Sequence, residues 1–365
     1  MSRRLRIVSV VGARPQFIKA APVCRALRER HDEILVHSGQ HFDHDMSDVF
    51  FEELGIPKPD YNLGVGGGGH GRMTGEMMGQ LEELFVELAP DWVLVYGDTN
   101  TTLAAALAAA KLNMPVAHVE AGLRSFNRAM PEEINRVLTD HVSSLLLCPT
   151  DAAVANLVAE GITDGVVRVG DVMLDTARIV AERVAEADVL AAYGLAHGGY
   201  YLATVHRAAT SDDPERLGAV LRAFAELDKP VIFAVHPRTR KNMESAGLAR
   251  IADAMPNLRM VPPIPYLETS ALLRGAHKLL TDSGGMQKEA YFFGVPCVTL
   301  RDETEWVETV ELGWNRLAGT EEAAIVEAAL APFDRSLERP AVYGDGHAAQ
   351  QCADALGRRH TALLG

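Results

Sequence analysis

Short apolar, β-branched runs alternate with longer Ala-, Leu-, Glu- and Arg-rich amphipathic stretches along almost the whole chain, and no other feature restricts the fold as much. In the first half the strand candidates are Arg6–Val11, Glu33–His37, Trp92–Tyr96, Val116–Val119, Leu145–Cys148 and Val166–Val169. Helical patterns run between them near Phe17–Arg30, Asp45–Leu54, Met73–Leu88, Thr101–Lys111, Glu132–Ser143 and Ala152–Ala159. A strand that is apolar throughout must be buried on both faces, and the helices between such strands supply the cover. The pattern therefore predicts a parallel sheet with helices on each side.

The pattern then starts again. Tyr201–Val205, Val231–Val235, Leu258–Val261, Lys278–Leu280 and Cys297–Leu300 read as strands, interleaved with helices such as Pro214–Leu227, Glu268–Leu273 and Glu321–Leu330. Met173 to His197 reads as helical and turns at Gly198-Gly199. The expected fold class is α/β: two Rossmann-like, doubly wound parallel-sheet domains, residues 1–171 and 172–346, with the boundary region near 170–198. At ~150 residues per domain, a length of 365 agrees with two. Gly66–Gly69 reads as a flexible loop.

Composition narrows the function. Lys and Arg number 35 against 49 Asp and Glu, a net charge of −14. A nucleic-acid binder needs the opposite balance, so none is expected as a partner. No apolar run approaches the ~18 residues of a membrane span, so no membrane partner is expected either. The five-residue run Ile7 to Val11 is too short for a secretory signal. Cys24, Cys148, Cys297 and Cys352 are scattered without a Cys-x-x-Cys pair, which argues against disulfides or structural zinc. The expectation is a reduced, cytoplasmic, two-domain protein with no metal site.

In open parallel sheets ligands sit beyond the carboxyl ends of the strands. The polar residues directly after strand candidates are Gly12-Ala13-Arg14, Gly97-Asp98, Glu120, His206-Arg207, His236, Asp282-Ser283 and Arg301-Asp302. Ser283-Gly284-Gly285 opens a helical stretch, where glycines allow close approach and helix amides attract a phosphate; an N-cap with a tight turn would look the same. Glu289, one turn on, could accept ribose hydroxyls or face solvent. Gly12-Ala13-Arg14 lacks dinucleotide spacing. Gly64–Gly71 lacks a P-loop ending and does not directly follow a strand candidate, so neither NAD nor ATP hydrolysis is indicated. Arg14 and Lys19 suit a diphosphate, although Lys19 also fits an exposed helix lysine. Asp98, Glu120 and Glu132 form a triplet of carboxylates able to exchange protons. Asp98 could instead cap the helix near Thr101, and Glu132 and Glu133 suit a first helical turn. His206 and His236 end successive strands, without the spacing of a zinc site.

Taken in order, Gly12-Ala13-Arg14-Pro15 with Lys19, Tyr96-Gly97-Asp98-Thr99, His118-Val119-Glu120-Ala121-Gly122-Leu123-Arg124, Pro131-Glu132-Glu133-Ile134-Asn135-Arg136, Thr281-Asp282-Ser283-Gly284-Gly285-Met286-Gln287-Lys288-Glu289 and Arg301-Asp302-Glu303-Thr304-Glu305 resemble the non-hydrolysing UDP-N-acetylglucosamine 2-epimerases. The resemblance runs from residue 5 to Tyr343-Gly344-Asp345-Gly346. It implies the GT-B arrangement, with the nucleotide mainly on the second domain, the helical stretch 347–363 returning to the first, and a homodimer. It also implies reversible C2 inversion of UDP-GlcNAc to UDP-ManNAc with no cofactor, through anti elimination of UDP to 2-acetamidoglucal and re-addition. Carried over by motif, Asp98, Glu120 and Glu132 handle protons. Lys19, Arg14, Arg136, His206, Ser283 and Gly284 with Gly285 hold diphosphate, Glu289 the ribose, and Arg301 belongs to the substrate-binding set.

Two places depart from the best-known members. Phe42-Asp43-His44-Asp45-Met46-Ser47-Asp48 stands where those enzymes carry a helix forming a second, activating site. Trp306-Val307 stands where Arg-Pro is usual, and Thr304-Glu305-Trp306-Val307-Glu308 resembles members acting on UDP-2,3-diacetamido-2,3-dideoxy-glucuronic acid. That alternative substrate needs a cation for its C6 carboxylate, for which Arg124 and Arg128 are candidates. A GT-B UDP-sugar glycosyltransferase and a UDP-sugar-binding regulator without turnover are the alternatives of other classes.

Overall fold

The computed structural model describes residues 3–40 and 54–364. The helix expected at Asp45–Leu54 and the departure at Phe42–Asp48 lie outside these residues, except for Leu54. The chain divides into two compact units, Met1–Arg178 with Ala341–Gly365, and Ile179–Pro340.

The first unit is built on β1 (Arg6–Val11), β2 (Asp32–His37), β3 (Tyr61–Asn62), β4 (Trp92–Tyr96), β5 (Val116–Val119), β6 (Leu145–Cys148) and β7 (Val166–Arg168), in the order β3-β2-β1-β4-β5-β6-β7. Every ladder is parallel. The second unit has β8 (Tyr201–Val205), β9 (Val231–Val235), β10 (Leu258–Val261), β11 (Lys278–Thr281), β12 (Cys297–Thr299) and β13 (Asn315–Leu317), in the order β10-β9-β8-β11-β12-β13, again all parallel. Each sheet reverses its strand order once, beside β1 and β4 and beside β8 and β11. That reversal is where loops splay and a ligand can enter.

Burial explains why these segments are strands. Trp92 to Tyr96 are all buried, so period-two alternation is absent and both faces are covered. Five of the nine buried residues of the helix Asn100–Lys111 are alanines, which lets it lie close to the sheet, and the Thr99 hydroxyl caps it by accepting from Thr102 N. β3 and β13 carried no sequence signal because they are short and largely exposed edge strands. The Gly64–Gly71 segment does follow a strand, the two-residue β3. The sequence reading on this point is thereby corrected: two residues are too few to show a period. Gly66–Gly69 carries no regular structure and leads into the helix His70–Leu88.

The helix Ala348–Leu364 belongs to the first unit. Arg30 of the helix Arg14–Arg30 pairs with its Asp354. Its amino end is capped from a distance by Asp175, whose carboxylate accepts from Ala348 N at 3.1 Å and Ala349 N at 3.0 Å. Burial pushes the Asp175 carboxyl up, against the two backbone hydrogen bonds. A folded-state pKa above the unfolded value means the penalty is absent at acid pH and complete above the folded pKa. We therefore expect the melting temperature of Asp175→Asn, relative to the parent, to improve between pH 4 and pH 7. A gap that stays constant or moves the other way would contradict this.

In the second unit Lys278 is buried and donates to the carbonyls of Ala329 and Ala331 at 2.6 and 2.5 Å, closing the carboxyl end of the helix Glu322–Leu330. Burial lowers it to about 8. All four cysteines are buried thiols, Cys297 being pushed up to about 12, so none has the character of a reactive thiolate.

Candidate active site

In the first unit the register pairs Tyr96 with Val119, so Asp98 and Glu120 follow neighbouring strand ends. Glu120 takes φ +70, a left-handed backbone uncommon for a side chain of this size. Two amides hold the turn: Glu120 N and Ala121 N both donate to the Leu147 carbonyl, at 3.1 and 3.2 Å. Such strain persists only where the surroundings over-determine it, and it concentrates at functional sites.

Lys19 reaches Glu120 from the helix Arg14–Arg30 and forms an ion pair with its Oε2. The two side chains are only 9% and 8% exposed. Lys19 is therefore no exposed helix lysine, and in this structure its ammonium is engaged by Glu120. Gly97 makes room for the pair: its φ is +62, and a methyl there would stand 2.9 Å from Lys19 Nζ and 3.2 Å from Glu120 Oε2.

Asp98 pairs with Arg136, whose side chain is 4% exposed. Since Thr99 caps the following helix, Asp98 has no capping duty. Arg136 also meets Glu133 at 2.8 Å, so the guanidinium expected on a diphosphate is engaged by two carboxylates. Glu133 in turn accepts from Ser125 N, Ser125 Oγ and Phe126 N at 2.9, 3.0 and 2.9 Å and ties down the loop before its own helix. Glu132 lies beside it in the first turn, half-buried. Asn135, whose amide donates to the Asp98 carbonyl at 2.9 Å, supports the turn after β4. For Arg14 the structure describes only the backbone, at the first position of its helix.

Behind these residues lies a buried polar network that the sequence reading passed over. His118 Nδ1 is 2.7 Å from Asp140 Oδ1 and its Nε2 is 2.7 Å from the Gly97 carbonyl. Arg124 donates to Asp140 Oδ2 at 2.7 Å and forks onto Glu160 at 2.7 and 2.6 Å. Burial alone would raise the Asp140 carboxyl, but hydrogen bonding and charge from His118 and Arg124 outweigh it and hold it low. Arg124, a candidate for a sugar carboxylate, is 3% exposed and held by these two acids. That expectation is corrected: a side chain buried by its own ion pairs is not presented to a ligand. Arg128 is exposed.

In the second unit Ser283 is the N-cap residue of the helix Gly284–Phe293, but its side chain makes no capping bond. A methyl added at Gly284 would stand 3.3 Å from Trp306 Nε1, 3.8 Å from Glu305 Oε2 and 3.9 Å from an Arg207 nitrogen. The amino end of this helix is thus flanked by an indole, a carboxylate and a guanidinium. Trp306 rests on Lys288, with Nζ 3.9 Å from the ring centroid. Arg301 meets Glu305 at 3.2 Å through both guanidinium branches.

Glu289 is 3% exposed and accepts from the Tyr266 hydroxyl at 3.0 Å, so it does not lie on a solvated face. Asp282, fully buried, accepts from the backbone of His206 and Arg207 and fixes the turn after β8. The His206 ring is 40% exposed, with Nδ1 3.6 Å from Asp282, and its centroid is 6.1 Å from that of His236. His236 caps its helix by accepting from Arg238 N at 3.2 Å. Tyr266 is an addition to the residues singled out from sequence, whereas Arg207 and Asp282 stood among the polar residues after strand candidates without a role of their own. Arg207 was the most accessible to that reasoning, since it follows His206 at a strand end. Among the described residues, no three His, Cys, Asp or Glu side chains are grouped to hold a metal ion.

The solved structure of Methanocaldococcus jannaschii UDP-GlcNAc 2-epimerase, in complex with UDP-GlcNAc and UDP, is 40% identical, with a TM-score of 0.89 over 99% of this chain and 100% of that one. The fold class is accordingly α/β of the GT-B type. The family model of UDP-N-acetylglucosamine 2-epimerase matches residues 25–357, and the chain belongs to that family. A Methanococcus maripaludis UDP-N-acetylglucosamine 2-epimerase homolog is 52% identical over 88% of this chain and 91% of its own length. The Pseudomonas aeruginosa UDP-2,3-diacetamido-2,3-dideoxy-D-glucuronate 2-epimerase is 48% identical over 97% and 100%.

Proposed function

We propose that this protein interconverts UDP-GlcNAc and UDP-ManNAc by inversion at C2, with the first unit handling protons and the second holding the nucleotide. The observation that carries the reading is a pair of carboxylates at adjacent strand ends, Glu120 and Asp98, each matched by a buried cation, Lys19 and Arg136. An ion-paired carboxylate is in its acceptor form, which is what removal of a carbon-bound proton requires.

In the forward direction a carboxylate takes the C2 proton and the C–H electrons form the C1=C2 bond. The C1–O bond breaks with its electrons leaving on UDP. Re-addition reverses these steps on the other face of C2, which calls for a second proton-handling group. Asp98, Glu120 and Glu132 form the set that supplies both.

The departing diphosphate gains negative charge, which the amides at Ser283-Gly284-Gly285, the guanidinium of Arg207 and the ring of His206 meet in this reading. Glu289, aligned by Tyr266, receives the ribose hydroxyls, and Arg301 holds Glu305 beside the same helix end. Arg14 completes the diphosphate set. A regulator that merely binds would gain nothing from three carboxylates beside an anionic ligand. A glycosyltransferase would need an acceptor.

Incubation with UDP-GlcNAc in D₂O, followed by NMR, tests the proposal. Deuterium at C2 together with UDP-ManNAc is the expected result. Free ManNAc as the main product would indicate a hydrolysing enzyme, and no exchange would remove the assignment. Ser283→Ala is expected to weaken UDP binding about 10-fold in calorimetry, the scale of one hydrogen bond to a charged group. Unchanged affinity would take Ser283 out of the set.

A second reading has UDP-2,3-diacetamido-2,3-dideoxy-glucuronate as the substrate. It is favoured by the Thr304-Glu305-Trp306-Val307-Glu308 segment and by the P. aeruginosa relative. With Arg124 engaged by Asp140 and Glu160, Arg128 is the remaining candidate for the sugar carboxylate. The same exchange experiment with that sugar separates the two. No helix among the described residues is long and apolar enough to cross a membrane. A cytoplasmic homodimer completes the proposal.

A further inference from the structure

We infer that His118 is a positioning residue for the proton-handling carboxylates: one buried ring, donating from both nitrogens, ties the strand end that carries Asp98 to the one that carries Glu120. This rests on the proposed epimerase reading. His118 is fully buried in the middle of β5. Its two neighbours at 2.7 Å are both acceptors, the Gly97 carbonyl and Asp140 Oδ1. A carbonyl cannot donate, so Nε2 carries a hydrogen.

The other oxygen of Asp140 accepts from Gly122 N at 3.1 Å and from Arg124 at 2.7 Å. That amide and guanidinium favour the ionised form of Asp140, so Oδ1 has no proton to give Nδ1 and accepts from it. The ring therefore donates on both sides. His118 and Arg124 both meet Asp140, and Arg124 carries the network outward to Glu160, an exposed residue.

The consequence is geometric. Gly97 precedes Asp98, and its carbonyl is fixed from β5 by the ring. Gly122 lies two residues after Glu120, and its amide is fixed by the carboxylate that the ring orients. The left-handed turn at Glu120 is thus clamped beyond its end by Asp140, while the Asp98 turn is clamped at its start by His118. The helix Pro131–Val142 carries Asp140, and also Arg136, the partner of Asp98, and Glu132. One imidazole therefore sets the spacing of all three carboxylate-bearing segments. Displacements of about 1 Å between reacting groups can cost about 10²-fold in rate.

His118→Asn keeps a donor near the Nδ1 position and gives up the Gly97 bond. His118→Gln keeps one near Nε2 and gives up the Asp140 bond. Both are expected to lower kcat for C2 exchange about 10²-fold per UDP-binding site, with KM and the calorimetric UDP affinity within about threefold of the parent. Counting active molecules by UDP binding removes any loss of folded protein from the comparison.

An independent readout is the ¹⁵N-histidine spectrum of the substrate-free parent. Two slowly exchanging ring N–H signals are expected from one histidine, absent in His118→Asn. A single ring N–H, or variants that retain full UDP binding and a kcat within twofold of the parent, would overturn the inference. If neither variant folds, Asp140→Asn, which leaves the ring in place, is expected to show the same kcat loss; parent-like kcat there would equally overturn it. A parent that exchanges C2 protons of neither UDP-sugar would sink the function reading and the role with it, while the ring signals would still report whether the double donation exists.

Discussion

Glu120→Gln is expected to lower C2 exchange by about 10²–10⁴-fold while leaving UDP affinity nearly unchanged, because the side chain keeps its size and loses the basic oxygen. The substitution has a second consequence. Lys19 is left with its charge in a site where it is only 9% exposed. Breaking a buried pair by removing one partner typically costs about 3–5 kcal/mol, since the remaining charge is uncompensated. The single variant should therefore melt earlier as well as react slowly. Lys19→Met combined with Glu120→Gln removes the stranded charge, and melting temperature should recover while turnover stays low. Recovery of turnover along with stability would mean that Glu120 acts only through the fold.

Asp98→Asn should show an activity loss of the same order, ~10²–10⁴-fold, with a smaller stability cost. Asp98 is 31% exposed, and Arg136 retains Glu133 at 2.8 Å, so the buried guanidinium keeps an anionic partner. The two carboxylates thus differ in a measurable way: loss of Glu120 couples activity to stability, and loss of Asp98 separates them. Exchange rates by NMR and thermal melts on the same preparations decide it. An Asp98→Asn enzyme with near-normal exchange would remove that residue from the proton-handling set.

Much of this architecture can be read from the chain without coordinates. β1, β4, β5, β6, β8 and β9 begin and end at the expected residues, because strands buried on both faces leave continuous apolar runs, and β10 does so too although its Arg259 is exposed. Helices start earlier than their apolar pattern, at Arg14 rather than Phe17 and at His70 rather than Met73, because first turns are polar or glycine-rich. The polar helix Pro237–Ser245 and the edge strands β3 and β13 left no periodic signal at all.

Candidate residues were legible where a polar or charged group stood just past a strand end: Asp98, Glu120, His206 and Ser283. Their partners were not. Lys19 and Glu120 are 101 positions apart, Asp98 and Arg136 are 38 apart, and no local pattern links either pair. For Lys19 and Glu289 the sequence left a surface position open beside a ligand-binding role, and both prove buried. Arg124 looked available to a sugar carboxylate, whereas Asp140 and Glu160 already hold it. His118, quoted only within a motif, was given no role because a histidine among apolar residues reads as part of a buried strand.

Sequence by itself determined the fold class, the two-unit repetition and the types of residue placed at the carboxyl ends of the strands. These depend on local periodicity and on the geometric rule that parallel strands present their following loops on one side. Only the tertiary structure decided which charges neutralise one another, which carboxylate sits in a strained turn and which buried ring holds two strand ends together. Those outcomes depend on desolvation and on contacts between residues far apart in the chain, and neither is encoded in any short window of sequence.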